Sequence, residues 1–304
     1  MSRRVLITGA GGFVGSHLAT GFAKLGDHVT AFDRQFDAPT AARLEGIAMI
    51  EASLDSESLG ALGPFDLVIH GAALTSTAED LGISGTTHVR SNLLPLLDCL
   101  EFAQQAGASQ FVFISSSGVF DNTDSDDVLL ETTVPTSLAP YAVAKRASEI
   151  IVQGAASEHF TAFSIRLGPV FGPYEASRDS RKTVSMVRRW LDTARAGEPI
   201  VVTSPATVRD WTFAPDLAPA LNAVLRDRVA PPAILHFSSP ELTSEAGLAQ
   251  AIAALVPGTR VEVETAGASR RLPMASMRRD MACLYPWTSL ASGLSHIIAT
   301  EAQP

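Results

Sequence analysis

Short runs of β-branched and aromatic residues alternate with longer segments whose apolar positions recur at spacings of three and four, and this rhythm fills the first half of the chain. Val5 to Thr8, His28 to Phe32, Asp66 to His70 and Gln110 to Ser115 read as strands, whereas Gly12 to Leu25, Thr86 to Ala106 and Pro140 to His159 read as helices. Such alternation predicts a doubly wound parallel sheet with helices on both faces, an α/β architecture. Thr161 to Leu167 adds one more strand, and then the rhythm breaks at Gly168-Pro169 and Gly172-Pro173. A smaller C-terminal α/β region is expected from there. It holds a helix over Thr183 to Ala196, a strand over Pro199 to Thr203, a helix after Asp216, a strand over Ala233 to Phe237 and a helix near Glu245 to Leu255. The acidic stretch from Asp121 to Asp127 reads as a solvated loop.

Composition narrows the class. With 304 residues, 46% of them apolar, the chain has ample material for a packed core. A formal charge of -9 argues against a nucleic acid or an acidic membrane as partner. No run approaches the roughly 18 apolar residues of a membrane span, and Arg3-Arg4 leads into a strand pattern rather than a signal-peptide core. Cys99 and Cys283 lack metal-ligand spacing, and Cys99 sits among Leu96, Leu97 and Leu100, where a buried thiol is expected. No metal site is expected, and a cytoplasmic location fits.

The strand Val5 to Thr8 runs directly into Gly9-Ala-Gly-Gly12-Phe-Val-Gly15 and then a helix pattern. In that context the glycines have separable tasks: a tight turn at Gly9, close backbone approach to a pyrophosphate at Gly12, and close helix-to-strand packing at Gly15. The helix N-terminus beyond them suits phosphate. Asp33 closes the second strand, where its carboxylate can accept hydrogen bonds from the adenosine ribose hydroxyls and repel a 2′-phosphate. These features point to a Rossmann unit that binds NAD. Arg34 leaves NADP open, since an arginine there can accommodate the extra phosphate.

Tyr141 and Lys145 stand four residues apart behind Pro140, a residue suited to a first helical turn. One helix face then carries both, with the ammonium beside the phenol. A nearby cation favours the phenolate, which is what a tyrosine needs to exchange a proton with a substrate hydroxyl. Upstream, Ser115, Ser116 and Ser117 end a strand.

Taken together, the glycines at 9, 12 and 15, His70-Gly-Ala-Ala73, the serine triplet and the Tyr141/Lys145 pair resemble the extended short-chain dehydrogenases, the NAD-dependent epimerase and dehydratase family. Arg166-Leu-Gly-Pro-Val-Phe-Gly-Pro173, Arg209-Asp-Trp-Thr-Phe-Ala-Pro-Asp216 and the segment from Cys283 to Leu294 extend the resemblance over nearly the whole chain. The resemblance implies Ser116, Tyr141 and Lys145 as the catalytic set, with Ser116 holding the substrate oxygen and Lys145 also bonding the nicotinamide ribose. It implies a cofactor site of Gly9, Gly12, Phe13, Val14, Gly15, Asp33, Arg34, Ser53, Leu54, Gly71, Ala72, Ala73 and Asn92, together with Tyr141 and Lys145. Ser117 and Arg209 are candidate substrate contacts, Arg209 as a fork for phosphate or carboxylate, and Arg178 with Arg181 and Lys182 forms an alternative anion cluster or, equally, a solvated helix entry. Arg209 has a plainer alternative, an ion pair with Asp210 or Asp216. The implied domains are residues 1–167 with about 208–238 for NAD, and about 168–207 with 239–304 for substrate.

The expected chemistry is hydride transfer at a sugar hydroxyl carbon. That means an epimerase of a sugar or nucleotide sugar acting like a 4-epimerase or, alternatively, a dehydrogenase of a small sugar or sugar acid. A dinucleotide-binding sensor is a third reading, but it would have no use for the serine, tyrosine and lysine together. Ser117 and Gly118 stand where the family's dehydratases carry Asp-Glu, which argues against dehydration. Gly168 stands where many nucleotide-sugar members carry Asn, and Thr203 to Thr207 lacks their glycine-rich segment, so the diphosphate grip is incomplete. The resemblance also implies a homodimer, since the long helices 86–106 and 140–159 pair across a bundle in relatives.

Overall fold

The computed structural model describes residues 2–125, 127–177, 183–264, 272–278 and 280–302. Its strands are β1 (Arg4–Thr8), β2 (His28–Asp33), β3 (Ala48–Glu51), β4 (Leu67–His70), β5 (Gln110–Ser116), β6 (Thr161–Leu167), β7 (Val170–Phe171), β8 (Ile200–Val202), β9 (Val208–Arg209), β10 (Thr212–Phe213), β11 (Ile234–His236), β12 (Thr243–Ser244) and β13 (Val261–Val263). The helices are α1 (Phe13–Lys24), α2 (Ala38–Arg43), α3 (Ser56–Gly60), α4 (Gly85–Gln105), α5 (Pro140–Ala155), α6 (Met186–Arg195), α7 (Leu217–Arg226), α8 (Glu245–Leu255), α9 (Met281–Leu284) and α10 (Leu290–Glu301). Seven strands form one sheet in the order β11-β6-β5-β4-β1-β2-β3. Every pairing in it is parallel, giving the expected doubly wound Rossmann sheet.

A parallel sheet needs cover on both faces, so its central strands read as continuous apolar runs. All four residues of β4 are buried, as are Val5 to Thr8 of β1. Phe22, Leu18, Leu217 and Leu221, from α1 and α7, pack with Ile7 and Ile165 on one face. Leu96, Cys99, Leu100 and Val152, from α4 and α5, pack with Leu6, Val68 and Phe111 on the other. A third core lies away from the sheet, where Val187, Leu191, Leu248, Ile252 and Leu294 gather around Phe171, Trp211 and Phe213.

Local chemistry sets the element ends. Pro140 occupies the first turn of α5, and α4, α6, α8 and α10 begin at Ser84, Ser185, Ser244 and Ser289, each accepting a backbone N–H of the first turn. The Ser185 cap explains why α6 begins at Met186 rather than the expected Thr183. Helix α5 stops at Ala155, short of His159, because Ser157 and Phe160 exchange backbone hydrogen bonds in a turn that feeds β6.

Candidate active site

The glycine loop joins β1 to α1 at the C-terminal edge of the sheet. Gly9 has φ +74°, and a Cβ there would lie 2.6 Å from the Ala72 nitrogen. At Gly15 a Cβ would lie 2.0 Å from the Gly9 carbonyl oxygen, so helix and loop touch through bare backbone. Gly12 caps α1 without a side-chain hydrogen bond, and no acidic residue occupies the first turn, which leaves that end suited to phosphate. Asp33 accepts from the Gly11 N–H at 2.8 Å through one oxygen and from the Arg34 N–H at 2.6 Å through the other. Burial raises its pKa against those hydrogen bonds, while Arg34 is exposed. This cradle fits a dinucleotide.

The remaining cofactor candidates surround it. Phe13 and Val14 open α1, and exposed Ser53 and half-buried Leu54 follow β3. Gly71 donates to the Thr8 carbonyl at 3.1 Å and the Ala72 N–H to Thr8 Oγ1 at 3.5 Å, which locks the turn through Ala73 against β1. Asn92 acts from α4: its Oδ1 accepts from the Leu74 N–H at 2.9 Å, so its visible contact is to the loop rather than to open space.

Ser116 and Tyr141 meet at Gly118. A Cβ at Gly118 would lie 3.3 Å from Ser116 Oγ and 3.4 Å from Tyr141 Cε1, so both groups border the same small space. Ser116 Oγ accepts from the Gly118 N–H at 3.0 Å, and half-buried Ser117 opens the 3-10 turn between them. Lys145 is 4% exposed and donates from Nζ to the Ile114 carbonyl at 2.7 Å. Its Nζ lies 5.6 Å from the Tyr141 ring centroid. Burial lowers its pKa to about 7, and the Glu149 carboxylate acts in the opposite direction.

Glu149, four residues beyond Lys145 on α5, is a buried carboxylate that the motifs did not reveal. It accepts from Ser115 Oγ at 2.6 Å and pairs with Arg166 through Nε at 2.8 Å and Nη2 at 2.7 Å. Arg166 and Glu149 are 2% and 3% exposed, and the Arg166 guanidinium lies 4.9 Å from the Phe120 ring. The buried face of α5 runs through Lys145, Ser148, Glu149 and Val152; two charges on that stripe were the available signal.

Arg209 pairs with Glu245, not with Asp210 or Asp216. Asp216 is taken instead by Tyr285 and Thr288, which tie the start of α7 to the C-terminal segment. At Gly168 a Cβ would lie 2.1 Å from Asp210 Oδ2, so a side chain there would require the Asp210 carboxylate to move. Arg178, with Arg181 and Lys182, lies outside the described residues. Cys99 is fully buried, and burial pushes its thiol pKa well up.

With this geometry in place, the comparisons define the class. Residues 5–235 match the model of the NAD dependent epimerase/dehydratase family, and the chain belongs to that family. NAD is the cofactor of the family. A UDP-N-acetyl-alpha-D-glucosaminuronate decarboxylase of Bacillus cytotoxicus is 27% identical over 75% of this chain and 73% of its own. UDP-glucuronate 4-epimerase 1 of Arabidopsis thaliana is 30% identical over 70% of this chain and 52% of its own. Among solved structures, MoeE5 in complex with UDP-glucuronic acid and NAD superposes with a TM-score of 0.77 at 26% identity, covering 99% of this chain and 100% of that one.

Proposed function

We propose that the protein is an NAD-dependent enzyme acting by hydride transfer at a sugar hydroxyl carbon, and that its net reaction is epimerisation of a sugar or nucleotide sugar. The observation that carries this reading is the convergence of Ser116, Tyr141 and Gly118 beside buried Lys145. In this assignment Tyr141 takes the proton of the substrate hydroxyl and Ser116 hydrogen-bonds the same oxygen. Lys145, whose ammonium lies beside the Tyr141 ring, stabilises the phenolate electrostatically in its charged form. Bound NAD supplies reversible hydride acceptance at that carbon, which inverts the centre if the hydride returns to the opposite face and leaves a ketone if it does not.

Similarity to a UDP-glucuronate 4-epimerase supports the first outcome. The closed Arg209–Glu245 pair and the bare Gly168 favour the second, a dehydrogenase of a small sugar or sugar acid. A panel of sugar acids and nucleotide sugars, followed for both NADH and isomer formation, tests the two. Isomer without steady NADH supports the epimerase, steady NADH supports the dehydrogenase, and neither with any member counts against the reading.

We also infer a division into a cofactor part, 1–167 with about 208–238, and a substrate part, about 168–207 with 239–304. The separate third core supports it, although Trp211 and Phe213 join that core. A homodimer through α4 and α5 is supported by exposed Leu94, Leu97 and Ile150 on those helices, and a monomeric sedimentation mass overturns it. Among the described residues no helix is long and apolar enough to cross a membrane, and Cys99 and Cys283 are free thiols, in keeping with a cytoplasmic setting.

A further inference from the structure

Residues 71–84 carry the chain from β4 to α4, and they set out from the cofactor cradle. The Ala72 nitrogen lies 2.6 Å from where a Cβ at Gly9 would stand, so this loop and the glycine loop touch backbone to backbone. Its near end is anchored on β1, where the Thr8 carbonyl accepts from the Gly71 N–H at 3.1 Å. The far end is held by α4. Asn92 Oδ1 accepts from the Leu74 N–H at 2.9 Å, and one turn earlier His88 Nε2 lies 3.0 Å from the Ser76 carbonyl oxygen. Ala72 and Ala73 sit between the two anchors.

The hydrogen-bond pattern fixes the tautomer of His88. Because Leu74 donates to Asn92 Oδ1, the other end of that amide is its NH2 group, which faces His88 Nδ1 at 3.4 Å and the His88 carbonyl at 3.1 Å. Nδ1 then presents a lone pair, so the hydrogen sits on Nε2 and is donated to Ser76. His88 is 0% exposed, and Ser76 and Asn92 are buried with it. The bond is shielded from water, and a lost donor is not cheaply replaced.

We propose that His88 is a positioning residue for the cofactor: acting through Ser76 and, with Asn92, through Leu74, it holds the loop that carries Ala72 and Ala73 in the shape that NAD meets. A loop held this way is ordered before NAD arrives, whereas without the donor the binding of NAD has to supply the ordering. NAD binding involves no hydride transfer, so the proposal is independent of whether Tyr141 is the base. It does rest on the glycine loop being the NAD cradle, which Gly15→Ala tests separately.

Calorimetric titration of the NAD-free protein with NAD compares the native chain with His88→Leu, which removes both ring nitrogens, and His88→Gln, whose amide can bring an N–H to the position of Nε2. NAD should bind about tenfold more weakly to His88→Leu, the worth of one buried hydrogen bond, and within about threefold of native to His88→Gln. In the NAD-free proteins the Leu74 amide should exchange about tenfold faster in His88→Leu with β1 and β4 unchanged, whereas a merely destabilised fold would speed all of them. Native NAD affinity in folded His88→Leu overturns the proposal, as does a loss in His88→Gln equal to that in His88→Leu. Beside a weakened Gly15→Ala, either result removes the role of His88 and leaves the cradle standing; native affinity in Gly15→Ala as well removes the cradle. If His88→Leu does not fold, as judged by thermal melting, His88→Asn takes its place, since it keeps an acceptor towards Asn92 but reaches no further, and the same loss is expected.

Discussion

Replacing Glu149 by glutamine removes one charge from the interior with almost no change of volume. Arg166 then keeps its guanidinium, 2% exposed, without the carboxylate that it meets at 2.7 Å and 2.8 Å. Breaking a buried pair from one side costs about 3–5 kcal/mol, because the remaining charge stays desolvated. That is a large part of the 5–15 kcal/mol that separates most folded proteins from their unfolded state. Urea unfolding of Glu149→Gln should therefore show a midpoint lower by roughly 1 M or more. The double variant Glu149→Leu/Arg166→Met should recover most of the loss, since it leaves no orphaned charge. A loss below about 1 kcal/mol in Glu149→Gln, or a double variant as unstable as the single, would refute the claim that this pair is a buried, mutually dependent unit.

Gly15→Ala drives a methyl to 2.0 Å from the Gly9 carbonyl oxygen, and NAD affinity measured by calorimetry should fall about 100-fold, or ~2.7 kcal/mol. Acid should destabilise the fold before its carboxylates titrate. Burial lowers the pKa of His17 and of His70 to about 3, so each binds its proton in the unfolded chain first. Their stabilisation is complete above about 6.5 and is lost as pH falls towards 3, roughly 2 kcal/mol for each histidine between pH 7 and 5. Equal urea midpoints at pH 7 and 5 would contradict that linkage.

Legibility from sequence followed the physics of each element. Buried β1 and β4 read as uninterrupted apolar runs, and the glycine loop between β1 and α1 combined composition with position. Edge strand β3 has one half-buried residue among three exposed ones, so it shows neither a run nor an alternation, and neighbouring α2 and α3 are too short for a helical period. The triad candidates Ser116, Tyr141 and Lys145 were visible because spacing within one helix and one strand end encodes them. Glu149's partner Arg166 and Arg209's partner Glu245 were not, since those pairings depend on β5–β6 neighbourhood and on the β9–β12 crossover. Arg209 had only adjacent acids to choose from in the sequence, and the fold chose a distant one.

The central claim is that Tyr141 exchanges the proton that accompanies hydride transfer. Its most direct test is the single-turnover hydride-transfer rate of Tyr141→Phe with whichever substrate the panel identifies, in a variant whose melting temperature matches the native protein. The account predicts a loss of about 100- to 10,000-fold, the usual worth of a positioned general base. A folded Tyr141→Phe protein that transfers hydride within a few-fold of the native rate would contradict it.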